Sequence, residues 1–386
     1  MVSAEIGQIG AGLEQNLTIA KNIKVIFSHD IFIQQSFGGI SRYFTELIKQ
    51  LIIHHTQVKI EGAFHVNSHL SKVDNLKVRY LPCSMATRAF AYYANQVAKR
   101  LAPIDSTGGI YHKTYYSGIP RRRRGKTIIT IYDMIHERFP NDFAANDQIA
   151  NWKRAWCREA DHIIAISQST KRDIVRYYGI PEEKISVVYL APSLLDKDVK
   201  ADESLDHIRS PFLLYVGRRD GYKNFWRWLE AFKISWQLSR DLSVVCFGGG
   251  RFNSKEKARL RSLGLEKKVY HLSGDDGLLL HCYKQARALV YPSLWEGFGL
   301  PLVEAMSVGC PIFTGGEGSC REIAADCAHY FDPYSIDEMK SKMEEILPDG
   351  DMLTAHRRAG IERAKCFTWE RTAASHLAIY RTALAN

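Results

Sequence analysis

Two successive series of short apolar runs, each alternating with helix-like segments, constrain this chain more than any other feature. The first series places strand candidates at 22–28, 57–62, 109–112, 127–132, 161–166 and 185–188. It opens with a glycine turn at Gly38-Gly39 before a helix over about 41–53. Residues 193–210 are polar and aperiodic, and the pattern then restarts with strand candidates at 212–217, 242–248, 268–272, 287–291, 311–314 and 328–331. Strands that alternate with helices form parallel sheets covered by helices, so the chain reads as α/β, with two Rossmann-like doubly wound domains facing across a cleft. The expected division is an N-terminal extension over 1–20, a first domain over 21–195, a linker over 196–210, a second domain over 211–365 and a C-terminal helix over 366–386.

A length of 386 residues suits two cores, and 46% hydrophobic with 24% charged residues suits a globular protein. No apolar run reaches the ~18 residues that span a bilayer, and residues 1–20 lack the basic start and cleavage site of a signal peptide. The expectation is a cytoplasmic protein. The eight cysteines show no CxxC pair and no zinc-like spacing, so neither a structural metal nor a metal cofactor is expected, and the thiols should be reduced and mostly buried. The net charge of +10 is uneven: residues 1–195 carry 25 Lys/Arg against 16 Asp/Glu. Such an excess points to an anionic partner of the first half, nucleic acid or anionic lipid, with a solvated basic face as the plain alternative.

The segment Glu296-Gly297-Phe298-Gly299-Leu300-Pro301-Leu302-Val303-Glu304 sets two carboxylates around a glycine turn. Pro301 favours the first turn of a helix, which leaves Glu296 in the loop and puts Glu304 in the opening turn, both directed at one pocket. The glycines let a ligand approach backbone amides, and the positive end of the helix favours phosphate. Upstream, the strand at 212–217 runs into Gly217-Arg218-Arg219-Asp220-Gly221-Tyr222-Lys223-Asn224, whose cations could neutralise a diphosphate. Gly248-Gly249-Gly250 lacks dinucleotide-fingerprint spacing and reads as a tight turn.

With these residues in view, the second half resembles the retaining nucleotide-sugar glycosyltransferases of the GT-B fold, in family 4. The matching stretches are Val216 to Asn224, Phe247 to Gly249, Ala288 to Gly309 and Pro311 to Cys320. In the first half, residues 38–43, 130–135 and 165–170 look like that family's acceptor domain, so the resemblance covers about 22–385. It implies a nucleotide-diphosphate sugar as donor substrate, held at its diphosphate by Arg218 and Lys223. Glu304 would bind the ribose hydroxyls and Glu296 the transferred sugar. The amides of Gly297, Phe298, Gly299 and Leu300 would support sugar and phosphate, and Gly39 would approach the phosphates from the other domain. The stretch Phe367 to Arg371 looks like a final helix that crosses back to the first domain. Many relatives carry a histidine just before the aspartate at 133, whereas this chain has Tyr132 there and His136 three residues beyond Asp133. The catalytic candidates are therefore Glu296, Arg218, Lys223 and Asp133, and the acceptor-side candidates are His112, Asp133, His136, Arg121 and Arg122.

A retaining transfer can proceed with the leaving diphosphate deprotonating the incoming hydroxyl on the same face, leaving the protein to position and to stabilise charge. A glycosidase would instead need two carboxylates facing across the scissile bond. A basic nucleic-acid-binding protein is a reading of another class, but no nucleic-acid module is recognisable, so no nucleic acid is expected as partner. Within the fold, a glycogen-synthase-like polymerase, a phosphorylase, a nucleotide-sugar epimerase and a transferase with a soluble acceptor remain open. GDP-mannose is the first donor considered, from general resemblance to bacterial surface-polysaccharide mannosyltransferases. Residues 85–101 place Ala86, Phe90, Tyr93, Ala94, Val97 and Leu101 near one helix face, for core packing or for a membrane surface. With the run Arg121 to Arg124, this suggests a lipid-linked saccharide acceptor and peripheral contact with an anionic membrane at its inner face.

Overall fold

A computed structural model describes residues 23–101, 105–120, 123–193, 205, 208 and 211–385, with Trp236 described in its backbone alone. The expected extension over 1–20, nearly all of the linker over 196–210, and Arg121 and Arg122 lie outside the described residues. The chain separates into two compact units. The first takes the described residues through Arg138, Phe143–Leu190 and those from Thr368 onward, and the second takes Phe139–Asp142 and Ala191–Phe367.

The first unit is built on β1 (Lys24–Ser28), β2 (Gln57–Glu61), a small parallel pair β3 (Phe64–His65) and β4 (Arg79–Tyr80), β5 (Ile110–Lys113), β6 (Lys126–Ile131), β7 (His162–Ala165) and β8 (Ile185–Val187). Six of these make one parallel sheet in the order β2-β1-β5-β6-β7-β8. The second unit holds β9 (Phe212–Val216), β10 (Ser243–Phe247), β11 (Val269–Leu272), β12 (Ala288–Tyr291), β13 (Ile312–Gly315) and β14 (His329–Phe331), parallel in the order β11-β10-β9-β12-β13-β14. Strands covered on both faces read as unbroken apolar runs, and β10 and β12 are buried at every position. Both sheets are doubly wound, as the alternation predicts.

Local chemistry fixes the helix ends. Ser167 accepts from the Thr170 amide at the start of the helix Gln168–Tyr178, which closes at the left-handed Gly179 (φ 64°). Asn253 and Glu256 form a reciprocal capping box on Ser254–Ser262. The last helix, Trp369–Ala385, belongs to the first unit, where two buried histidines tie it down. His376 Nε2 meets the Tyr43 hydroxyl at 2.7 Å, and the Tyr380 hydroxyl meets His112 Nδ1 at 2.6 Å.

The helix Met85–Leu101 bears on the core-packing reading of its sequence. It docks through Ala91 and Asn95, both fully buried. Asn95 Oδ1 accepts from the Ala63 and Phe64 amides at 2.8 and 3.0 Å, and its Nδ2 donates to the Phe64 carbonyl at 2.9 Å. The apolar face over Phe90, Tyr93, Val97 and Leu101 is exposed, so core packing is not its role in this fold. No helix among the described residues is long and apolar enough to cross a membrane. Of the eight cysteines, six are buried, Cys366 is half-buried and Cys83 is exposed; all are free.

Candidate active site

In the second sheet the chain leaves β9 to one side, through β10 and β11, then returns to the other side of β9 as β12. The winding therefore reverses between β9 and β12, and loops leaving the carboxyl ends at such a point diverge and open a crevice. Those loops are 217–224 and 292–299, the two that carry the predicted cations and Glu296. They are tied together at several points. The Leu294 amide donates to the Tyr222 carbonyl at 2.8 Å, and Asn224 Nδ2 donates to the carbonyls of Pro292 and Pro333 at 3.1 and 2.7 Å. Asn224 holds a left-handed backbone (φ 56°) while starting the helix Phe225–Ile234, a conformation asparagine tolerates better than most residues.

Lys223 and Glu296 form the centre of this arrangement. Lys223 Nζ lies 2.7 Å from Glu296 Oε1, with side chains 17% and 8% exposed. The ammonium also sits 5.5 Å from the Tyr291 ring centre and 5.1 Å from that of Tyr222, within cation–π range. Burial, and then the nearby Glu296 carboxylate, hold the Tyr291 phenol well above its ordinary pKa, so it is a neutral hydrogen-bond donor. The loop after β13 grips the backbone of Glu296. Its carbonyl accepts from the Ser319 amide at 3.2 Å and from the Ser319 hydroxyl at 3.1 Å. A Cβ on Gly318 would lie 2.6 Å from that carbonyl, so only glycine permits the approach.

The three cations of the β9 loop divide. Arg218 is 75% exposed and makes a bidentate pair with Asp220, through Nε at 3.1 Å and Nη2 at 2.5 Å. Arg219 turns inward: its Nε donates to Glu256 Oε1 at 2.8 Å, and its Nη atoms donate to the carbonyls of Gly248, Gly249 and Gly250. The Gly248–Gly250 turn, left-handed at all three residues, is thus held by a guanidinium from the neighbouring strand's loop. Sequence reading treated Arg219 as one more loop cation; the signal it missed is Glu256, which the Asn253 capping box presents to it.

Glu304 is the fifth residue of the helix Leu300–Ser307, whose cap is the left-handed Gly299 (φ 86°) and whose second residue is Pro301. It therefore sits one turn in rather than in the opening turn. It is buried and accepts from the Tyr283 hydroxyl at 3.0 Å. Phe298 is also buried and packs edge-on against Phe367, which anchors the turn whose amides open the helix. Glu296 and Glu304 thus belong to one loop-helix element but hold different partners, Lys223 and Tyr283.

The remaining candidates lie in the first unit. Gly39 is the first residue of the helix Gly39–Ile53, and a Cβ there would meet nothing within 4 Å, so the protein's own packing does not require glycine. Asp133, 29% exposed at the end of β6, accepts from the Ile135 amide at 3.0 Å and faces the fully buried Lys153 at 3.9 Å. Lys153 also donates to Glu137 at 2.9 Å. His136 stacks on Phe143 with ring centres 3.9 Å apart and reaches Asp147 at 3.8 Å. His112 departs from expectation: it is fully buried, held by Tyr380 and by Thr130 (2.9 Å), and serves to dock the last helix rather than to meet an acceptor. The sequence reading also passed over Asp30 and Lys113, paired at 2.9 Å where the winding of the first sheet reverses between β1 and β5. Burial would raise the Asp30 carboxyl, but Lys113 outweighs it and holds the carboxyl well below the usual range.

Residues 197–365 match the family described as glycosyl transferases group 1, and residues 37–191 match glycosyltransferase family 4. The chain belongs to these family 4 glycosyltransferases and has their GT-B fold of two Rossmann-like units. It is 24% identical over 384 residues to O-antigen chain mannosyltransferase B of Escherichia coli, across 93% of this chain and 100% of that protein. It is 27% identical over 226 residues to O-antigen chain mannosyltransferase RfbU of Salmonella typhimurium, across 57% of this chain and 61% of that protein. Among solved structures it resembles WaaG, a glycosyltransferase involved in lipopolysaccharide biosynthesis, with a TM-score of 0.70, 17% identity and coverage of 92% and 99% of the two chains. HepE of Anabaena, solved with UDP and glucose, also gives 0.70, at 16% identity and coverage of 94% and 100%.

Proposed function

We propose that this glycosyltransferase moves a hexose, mannose from GDP-mannose in the first instance, to a lipid-linked oligosaccharide or lipopolysaccharide precursor with retention of configuration. The observation that carries the reading is the Lys223–Glu296 pair at the reversal point of the second sheet, beside a glycine-capped helix start. A nucleoside diphosphate fits there because the ammonium and the helix terminus both favour anionic oxygen. The mannosyltransferase relatives favour mannose, and the UDP-bound neighbour favours a nucleotide-linked donor.

In this reading Lys223 and the exposed Arg218 take up the charge that develops on the departing diphosphate. The bond from the anomeric carbon to the phosphate oxygen breaks, and its electron pair stays on the phosphate. The acceptor oxygen bonds to the same face of the sugar, and its proton passes to the leaving phosphate oxygen. Glu296 holds the sugar hydroxyls, Glu304 the ribose, and the amides of Gly297 to Leu300 the phosphate side of the donor. Gly39 leaves room for phosphate to approach the start of its own helix, and Asp133 orients the acceptor hydroxyl. No metal has a role in this scheme.

The test is transfer of labelled sugar from UDP-, GDP- and dTDP-linked donors to a lipid-linked acceptor, with anomeric assignment of the product and with EDTA in a parallel arm. The reading expects one nucleotide sugar to be used, α to α, at a rate EDTA leaves intact. An inverted product would overturn the retaining step, and loss of activity with EDTA that returns with added metal would overturn metal independence.

A further inference from the structure

Both backbone polar groups of Tyr222 and its ring are held, and part of that hold comes from the other half of the sequence. The Tyr222 carbonyl accepts from the Leu294 amide at 2.8 Å, and the Tyr222 amide donates to Asp142 Oδ2 at 3.0 Å. The ring stacks on Phe139, with ring centres 5.9 Å apart and planes 17° from parallel, while the Lys223 ammonium lies 5.1 Å from its centre. Phe139 and Asp142 are the two ends of one short helical turn, closed by the Asp142 amide donating to the Phe139 carbonyl at 3.0 Å. That four-residue segment packs as part of the second unit, although Arg138 and Phe143 on either side of it belong to the first.

Local chemistry on both sides favours this approach. Gly221, left-handed at φ 52°, leaves room for the carboxylate, since a Cβ there would lie 2.7 Å from Asp142 Oδ2. Pro140 fixes its own φ and restricts Phe139 before it, which lowers the entropic cost of presenting Phe139 and Asp142 together. The residue that follows Tyr222 is Lys223, whose ammonium is paired with Glu296. A lysine stem has four rotatable bonds, so an ammonium that is to meet phosphate at little entropic cost needs its backbone held as well as its head. Glu296 holds the head, and Asp142, Phe139 and Leu294 hold the backbone through Tyr222.

We propose that Asp142 and Phe139 are positioning residues for the donor diphosphate, acting through Tyr222 to set Lys223 before the donor binds. The stretch 197–365 that matches the glycosyl transferases group 1 family is on this account an incomplete donor site, because two of its supports come from the segment 139–142. The proposal rests on the reading of Lys223 as the diphosphate ligand, and it adds that the first half of the sequence helps to build the donor side.

The experiment is a double-mutant cycle on the full chain, read as kcat/KM for the nucleotide-sugar donor in the transfer assay and supported by melting temperatures. Asp142→Ala should lower donor kcat/KM about tenfold, the scale of losing one hydrogen bond to a charged group, with the acceptor KM unchanged. Asp142→Asn keeps an oxygen that can accept from the Tyr222 amide and should restore most of the loss. Phe139→Ala should lower donor kcat/KM by about threefold or more, as expected for an aromatic pair. In a Lys223→Ala background the same two substitutions should each change donor kcat/KM by less than about twofold, because the group they position is gone. Asp142 is exposed, so its variants should keep the wild-type melting temperature. Wild-type donor kinetics in folded Asp142→Ala, no rescue by Asp142→Asn, or an equal loss with and without Lys223 would each overturn the proposal. A large loss in Lys223→Ala with none in Asp142→Ala would overturn the positioning role and leave the donor site standing, whereas wild-type kinetics in Lys223→Ala would overturn both.

Discussion

Lys223 Nζ stands 2.7 Å from Glu296 Oε1, joining the loop after β9 to the loop after β12 by a charge-assisted contact between residues 73 positions apart in sequence. The pair has one partner on each side of the point where the sheet reverses, so it holds the crevice in register and can exchange its hydrogen bonds for those of a ligand. Lys223→Ala should lower kcat/KM by about 100-fold or more, the scale of losing one preorganised charge contact in a transition state. Glu296→Ala should lower turnover at least about tenfold. Because the two act as a unit, the double variant should be far less impaired than the product of the singles, as measured by steady-state kinetics of all four proteins.

Arg218 and Arg219 are adjacent but should respond oppositely. Arg219→Ala removes a buried guanidinium that satisfies Glu256 and the carbonyls of the Gly248–Gly250 turn, and should cost about 3 kcal/mol in urea unfolding. Arg218→Ala breaks only an exposed pair, so stability should stay within about 0.5 kcal/mol while donor KM rises. Equal destabilisation by both would refute this division.

Much of this division was beyond sequence. The central strands were legible because parallel strands buried on both faces leave apolar runs, and Gly299-Leu300-Pro301 marked a helix start by cap chemistry alone. The β3 and β4 pair escaped because two-residue strands leave no periodicity. The helix Met85–Leu101 showed its amphipathic pattern but not its direction: Asn95 buries the polar side against strand edges and turns the apolar side out. In the site, Glu296 and Lys223 could be named but not their pairing, and Gly318 and Ser319 stood in a matching stretch without any sign that they act through the backbone of Glu296.

Gly318→Ala tests that backbone grip. The added methyl would press on the Glu296 carbonyl at 2.6 Å in a left-handed backbone (φ 65°), so the loop must shift. Activity should fall about tenfold or more although Gly318 carries no reacting group, with a stability loss of roughly 1–3 kcal/mol for the strained backbone. Gly39 makes the contrasting case. Gly39→Leu adds a side chain where the protein leaves space, so thermal stability should be retained while donor KM rises through lost phosphate approach. Normal kinetics in a folded Gly39→Leu protein would remove Gly39 from the donor site.

Acid should destabilise the protein through its buried histidines. Burial pushes His376 down to about 4 and His112 well below 6.5, and it likewise lowers His29, His65 and His329 to about 4. The folded state keeps these rings neutral while the unfolded chain takes up protons below about 6.5. Unfolding therefore binds protons as pH falls, and stability that is complete above pH 6.5 declines between about 6.5 and 4. The urea midpoint should be flat from pH 7 to 8 and drop steadily below 6.5. His376→Gln, which can still meet the Tyr43 hydroxyl, should reduce that drop by on the order of 1–3 kcal/mol; an unchanged pH profile in this variant would contradict the assignment.

The central claim, that the reversal point of the second sheet is a nucleotide-sugar site, is tested most directly by thermal stabilisation of the purified protein with UDP-, GDP- and dTDP-sugars in the presence of EDTA. One nucleotide sugar at about 100 times its Kd should stabilise the fold by about 2.7 kcal/mol and raise the melting temperature by roughly 3 °C. That shift should vanish in Lys223→Ala. Stabilisation of equal size in folded Lys223→Ala, or none by any nucleotide sugar in the wild type, would contradict the account.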